Sequence, residues 1–209
     1  MPTLPGGRYT DLPTSPADGP NGGPTRTSTR TPTATATKND WNTATGDTTE
    51  FTAEKWFPDT GTTTIGSTAY NHLAKQNAGC AAAEPKMRSL MSSTCVKLIQ
   101  SVWTNSSKTQ IGSLSVVSLR DNASASSLQT KLHDDKSDGE YVKFLSPPGG
   151  SGVSISKLGP TWVSTTVSGH YLVIAEVGRA DGKAVDADTR AMVNDLRETV
   201  MEYVRTART

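Results

Sequence analysis

Two cysteines, Cys80 and Cys95, and three histidines, His72, His133 and His170, are the side chains with the widest chemical reach in this 209-residue chain. The cysteine spacing is neither Cys-x-x-Cys nor a structural zinc pattern, which needs four ligands. An even pair in a Thr/Ser-rich chain suits one disulfide made in an oxidising compartment. It would tie the start of a helix at Pro85 to the start of a strand at Val96. Two buried free thiols in a cytosolic protein are the alternative. No histidine pair has the His-x-x-x-His or His-Glu-x-x-His spacing of a zinc hydrolase. His170 and Glu176 share strand parity, yet an extended chain at about 3.3 Å per residue parts them by roughly 20 Å. They cannot work as base and orienter, and His170 is expected to be exposed beside a turn.

The densest polar cluster is His133-Asp-Asp-Lys-Ser-Asp-Gly-Glu140. Read as a calcium loop from Asp134, it puts Lys136 at position three and Leu145 at position twelve, where a bidentate Glu belongs. A solvated turn is expected instead. Asp181-Gly182 and Asp186-x-Asp188 fall short in the same way and more simply open a helix. Gly149-Gly-Ser-Gly152 has neither a Walker lysine nor a following helix, so it reads as a flexible loop. There is no Gly-x-Ser-x-Gly elbow. Trp56, Trp103, Trp162 and Tyr70 could line a groove, but aromatic residues on sheets are expected in the core. The residue types and spacings thus assign no catalytic residue, no cofactor site and no metal ligand. Any triad would have to be assembled by the fold from distant residues.

The elements that position these residues are legible in the hydrophobic periods. Val96 to Thr104 alternates, with Val96, Leu98 and Val102 opposite Ile99 and Trp103. Gln110 to Arg120 alternates too, with Leu114 and Val116 opposite Ile111, Val117 and Leu119. Asn105-Ser-Ser-Lys108 joins the two as a hairpin. Third and fourth strands are predicted at Glu140–Ser146 and, more weakly, at Val153–Leu158. Thr161–Val167 and His170–Val177 form a second hairpin around Ser168-Gly169. Tyr171-Leu-Val-Ile-Ala175 reads as a central strand covered on both faces. Helices are predicted at Pro85–Met91, Asn122–His133 and Asp186–Arg205. The last carries Val193, Leu196, Val200, Tyr203 and Val204 on one stripe, with acids at its start and Arg205 at its end. Paired strands with helices before, between and after predict an α+β domain, an antiparallel sheet with packed helices.

Composition divides the chain near residue 50. Before Phe51 there is no Val, Ile or Phe, and seven of the twelve prolines lie there. Such a stretch buries too little apolar surface to offset chain entropy of about 1–2 kcal/mol per residue. Residues 1–50 are therefore predicted to be a disordered Thr/Pro-rich linker or stalk, and 51–209 to be a single α+β domain that folds without it. Net charge is +1, which argues against a basic nucleic-acid binder and against a polybasic membrane-surface protein. The longest apolar run, Tyr171–Ala175, is far short of the roughly 20 residues of a membrane helix. No apolar h-region follows Met1, so no signal peptide is read in the chain as given.

Phe51-Thr-Ala-Glu-Lys-Trp-Phe-Pro58, the Cys80–Cys95 segment and Tyr171-Leu-Val-Ile-Ala-Glu-Val-Gly-Arg-Ala-Asp-Gly182 with its following helix resemble the extracytoplasmic domains of actinobacterial, Streptomyces-type proteins. The resemblance covers about 51–209 and implies an α+β fold in a membrane-anchored or secreted protein of the cell envelope. It implies no reaction. More distantly, the chain is similar to the sensor domains of actinobacterial Ser/Thr kinases, which commonly use two disulfides where this chain has one possible pair. The expected function is a non-catalytic sensor or interaction domain on a flexible stalk. Its partner would be another protein, a peptidoglycan-associated ligand or a small molecule. The alternatives are an envelope enzyme with an unrecognised site and a cytosolic regulator. Recognition is expected on the exposed faces of the 161–177 hairpin and on the Ser146–Gly152 loop.

Overall fold

The two strongest alternating runs become the middle of a sheet. In a computed structural model that describes residues 39–134 and 141–207, they form β3 (Cys95–Asn105) and β4 (Gln110–Leu119). These pair antiparallel with Leu98 opposite Val117 and Thr104 opposite Ile111. Next to β4 lies β6 (Tyr171–Arg179), which is paired on its far side with the edge strand β5 (Trp162–Ser168). The other edge is a hairpin of β1 (Gly61–Ile65) and β2 (Thr68–Gln76). The order is β1-β2-β3-β4-β6-β5, every pair antiparallel.

Period-two alternation feeds two cores, one on each face. Ile99, Trp103, Leu114, Val116, Val173 and Val177 point to one side. There they meet α4 (Ala187–Ala207) through Met192, Val193, Leu196, Val200 and Val204, and the short α1 (Ala53–Trp56) through Ala53 and Trp56. Leu98, Val117, Leu119, Leu172 and Ile174 point to the other. They meet α2 (Pro85–Met91) and α3 (Asn122–Asp134) through Met87, Met91, Ala125 and Leu128. The domain is α+β, an antiparallel sheet with helices on both faces. Strand β6 is covered on both, as its unbroken apolar run predicts.

Local chemistry sets the helix starts. Asp121 Oδ1 accepts the Ser124 N–H at 2.7 Å, and Asp186 Oδ1 accepts the Thr189 N–H at 2.8 Å. Both are N-caps that satisfy an otherwise orphaned donor. Pro85 stands in the first turn of α2, where its missing N–H costs nothing. α4 sits close to the sheet because β4 has Gly112 beneath it. A Cβ there would lie 2.4 Å from the Leu196 side chain.

Cys80 and Cys95 are bonded, with Cα atoms 6.3 Å apart. The bridge joins the turn before α2 to the first residue of β3, as the spacing predicts.

Four expectations are corrected. The strands predicted at 140–146 and 153–158 do not form. Val142 makes one isolated bridge to Ala83, and residues 141–146 and 153–158 otherwise run as loop. Pro147 and Pro148 bring no N–H to a ladder, and Gln100 Nε2 instead donates to the Lys143 carbonyl at 2.7 Å. β1 and β2 were not anticipated, because Gly61-Thr-Thr-Thr-Ile65 and a mostly polar β2 carry no aliphatic alternation. The second hairpin turns through Gly169-His170, one residue later than predicted; Gly169 has the positive φ of 60° that the turn requires.

The fourth correction concerns the domain boundary. The linker predicted over 1–50 lies outside the described residues up to Lys38. Residues 39–50, however, are packed on the sheet. Thr43 bridges Asp121, Ala44 N–H donates to Arg120 O at 3.0 Å, and the Trp41 ring meets Tyr171 edge-on at 6.2 Å. A stretch without Val, Ile or Phe holds its place by backbone hydrogen bonds, one tryptophan and one buried carboxylate. The polar cluster predicted as a solvated turn also lies outside the described residues from Asp135 to Glu140.

Candidate functional site: a cleft beside the C-terminal helix

Aromatic residues converge where α1, the β1–β2 hairpin and the end of α4 meet. Trp56 is clamped there by neighbours on every side. Its indole N–H donates to the Glu50 carbonyl at 3.1 Å. Its ring lies 4.9 Å from Phe51, 4.6 Å from Tyr171 and 5.0 Å from Tyr203. Lys75 of β2 fixes the turn after α1, donating to the carbonyls of Phe57 and Pro58 at 3.2 and 3.1 Å and pairing with Asp59 at 3.3 Å. Tyr70 ties β2 to α4 by donating to Asp195 Oδ2 at 2.7 Å. Burial, and then that bond, hold the Tyr70 phenol well above its ordinary value.

These supports frame an open cleft of about 520 Å³. Trp56, Phe57 and Tyr203 form its aromatic floor, and the hydroxyls of Thr63, Thr64 and Thr199 line its walls. Lys55, Glu198, Glu202 and Arg205 stand at its rim, with Arg205 paired to Glu198 at 3.2 Å. Burial raises the Tyr203 phenol above its usual value, and the negative charges of Glu50 and Asp47 add to this. The size is that of a small-molecule site. Apolar surface, hydroxyls and both signs of charge meet in it, which is chemistry for orienting a polar ligand of modest size.

His72 and His170 lie elsewhere. His170, expected to be exposed at its turn, is 1% exposed. Its Nδ1 donates to the Trp41 carbonyl at 3.0 Å and lies 3.8 Å from Asp47 Oδ2, which accepts the Tyr171 hydroxyl at 2.7 Å. Residues 39–50 fold over the turn and take it out of solvent. A histidine, a carboxylate and a hydroxyl thus come together, but sealed under the folded-over segment: the side chains of His170 and Asp47 are each 2% exposed. His72 is buried as well, stacked on Trp103 with ring centroids 4.2 Å apart. Burial pushes its pKa below the usual histidine value. The fold brings neither histidine near Cys80 or Cys95, which are joined to each other.

Of the aromatic residues singled out in the sequence, Trp56, Trp103 and Tyr70 are core. Trp162 is 44% exposed, with the Arg190 guanidinium 4.3 Å above its ring. Among the described residues no cluster of three or more His, Cys, Asp or Glu side chains is placed to hold a metal.

One titratable group, weighed in the sequence only as a partner for His170, is buried by itself. Glu176, on β6, is 8% exposed and accepts the Thr161 hydroxyl at 2.7 Å. Its register partner on β4 is Ser113, whose Oγ is buried and has no hydrogen-bond partner among the described residues. Burial pushes the Glu176 carboxyl up to about 7, and the charge of Glu84 adds to the rise against the lowering bond from Thr161. A lone Glu in an apolar run was the available signal, since the strand parity that buries Leu172 and Ile174 also buries position 176.

No protein-family model, no curated protein and no solved structure matches this chain. What is shown is a class defined by architecture: an α+β domain with one six-stranded antiparallel sheet, helices on both faces and one disulfide. Among the described residues no helix is long and apolar enough to cross a membrane.

Proposed function

We propose that this chain is an extracytoplasmic recognition domain that binds a small polar ligand in the cleft between α1, the β1–β2 hairpin and α4. The observation that carries the reading is the cleft itself. It brings aromatic side chains, threonine hydroxyls and charged rim residues around one open concavity. The Cys80–Cys95 bond supports an oxidising compartment and weighs against the cytosolic regulator. The predicted stalk would give such a domain reach from an envelope anchor. The sealed setting of His170, Asp47 and Tyr171 supports a structural duty for them.

Soluble muropeptides are the probe for an envelope ligand. Titration should quench or shift the fluorescence of Trp56, and Thr199→Trp, which fills the cleft, should abolish the response while the far-ultraviolet dichroism stays that of the parent. Equal binding by the filled variant would sink the cleft as the site.

A catalytic reading is favoured by Glu176 alone, a buried carboxyl titrating near neutrality in register with Ser113, whose hydroxyl has no hydrogen-bond partner among the described residues. The two readings separate on Glu176→Gln. Muropeptide binding should be unchanged by it, whereas loss of a muropeptide-hydrolysing activity would promote the enzyme.

A further inference from the structure

Gly149-Gly-Ser-Gly152 fails as a phosphate cradle in sequence because no lysine accompanies it, and the fold supplies one from a distant turn. Lys108, in the turn between β3 and β4, lays its side chain along this loop. A Cβ on Gly152 would lie 2.8 Å from Lys108 Nζ, so a residue with a side chain there would displace the ammonium group. Both backbones are specialised for the approach: φ is 75° at Gly152 and 59° at Lys108, a conformation that non-glycine residues rarely adopt. Lys108 and Lys157 line a concavity of about 320 Å³ together with Thr109, Ser154, Ser156 and Asp181.

The charge balance of this concavity is positive. Asp181, its acid, is already occupied. Arg179 Nε and Nη2 donate to its two oxygens at 3.0 and 2.7 Å, and Lys183 stands 3.8 Å away. Those bonds, Arg179 foremost, hold the Asp181 carboxyl at about 2, so its charge is fixed and paired. The ammonium groups of Lys108 and Lys157 have no hydrogen-bond or ion-pair partner among the described residues. Ser154 Oγ donates to Ser156 Oγ at 2.9 Å, which leaves the Ser156 proton to be donated outward. Two ammonium groups and a hydroxyl offer donors without a competing free acceptor, the arrangement that suits an anion with several acceptor oxygens.

We propose that this concavity is an oxyanion site, in which Lys108, Lys157 and the Ser156 hydroxyl hold the phosphate-type group of an anionic ligand. It shares no lining residue with the α1–α4 cleft, so it stands or falls separately from the function proposed above. Lysine serves such a group as a point charge, and an exposed site of this kind weakens as salt screens it.

Inorganic phosphate is the probe, titrated into the full chain at low ionic strength and followed by the amide resonances of Lys108, Gly152 and Ser156. Saturable shifts are expected with phosphate and not with sodium chloride of matched ionic strength. Lys108→Gly removes the ammonium group and places at φ 59° the residue best suited to it. It should keep the fold and weaken binding about tenfold, the loss that one hydrogen bond to a charged group of roughly 1.5 kcal/mol gives. Lys157→Gln, which leaves the turn untouched, should weaken binding to a similar degree. Shifts that follow chloride equally, a response that does not saturate, or unchanged phosphate affinity in both variants would each overturn the site.

Discussion

Glu176 ties stability to a protonation state near neutrality. Its carboxyl titrates at about 7 in the fold, against an ordinary value of 4.5. The folded chain therefore binds this proton more tightly than the unfolded chain does. The stability tied to it is fully present below about pH 4.5 and is lost as pH rises through 7, because the charged form is deprived of water. For a group this buried the loss amounts to about 3 kcal/mol. Glu176→Gln keeps an oxygen for Thr161 and removes the charge. Urea unfolding should find it equal to the parent at pH 4.5 and more stable by up to about 3 kcal/mol at pH 8. An unchanged slope of stability between those pH values would show that the carboxyl is not the group responsible.

Asp47 shows a different use of a buried carboxylate. It accepts the Tyr171 hydroxyl through Oδ2 and the Thr49 N–H through Oδ1 at 2.8 Å, and it faces the His170 ring. Asp47→Ala would leave a phenol and an amide without their acceptor inside the protein. The expected cost is about 2–3 kcal/mol, read as a lowered urea midpoint. A loss under about 0.5 kcal/mol, the scatter of an ordinary surface substitution, would mean that solvent reaches the pair.

At the scale of elements, the Cys80–Cys95 bond does more than record a compartment. It fastens the turn before α2 to the entry of β3, and Gly79 N–H donates to the Leu98 carbonyl at 2.9 Å beside it. α2 has seven residues, too few to persist without tertiary support, and it supplies Met87 and Met91 to the second core. Closing a loop of this size limits the unfolded chain by about 3 kcal/mol in the chain-entropy account. Reduction should lower stability by about 2–4 kcal/mol, and hydrogen exchange should speed up first in α2. Equal protection of α2 with and without reductant would show that packing alone holds it.

The whole molecule is bounded differently from what composition suggests. Residues 39–50 carry Trp41 and Asp47 into the first core and cover His170. A 39–209 fragment should match the full chain in thermal stability. A 51–209 fragment should melt several degrees lower, since losing about 2 kcal/mol moves the midpoint of a domain near this size by roughly 4–8 °C. Equal melting of the two fragments would restore the boundary at Phe51.

How far the sequence reached can be seen residue by residue. Period-two and period-3.6 patterns are properties of neighbouring side chains, so β3, β4, β6 and α4 were legible wherever aliphatic residues fill the buried positions. So was the disulfide, because two cysteines in such a chain leave few other uses. β1 and β2 were not legible, because a Thr-rich hairpin shows no burial pattern until β3 pairs with it. The predicted strands at 140–146 and 153–158 had the right residues, yet 141–146 and 153–158 run as loop apart from the single Val142–Ala83 bridge. His170 looked like a turn residue and is one, yet it is buried by a segment more than a hundred residues earlier in the chain. The cleft joins α1 to α4, and the concavity joins Lys108 to Gly152. Each depends on contacts between residues far apart in sequence, whose geometry no local pattern encodes. The sequence by itself determined the fold class, the central strands, the long helix and the cysteine pair, since these follow from local spacing of apolar and reactive side chains. The tertiary structure decided which polar groups are sealed, which are open and which charges are left without a partner, since those follow from what the folded chain lays over them.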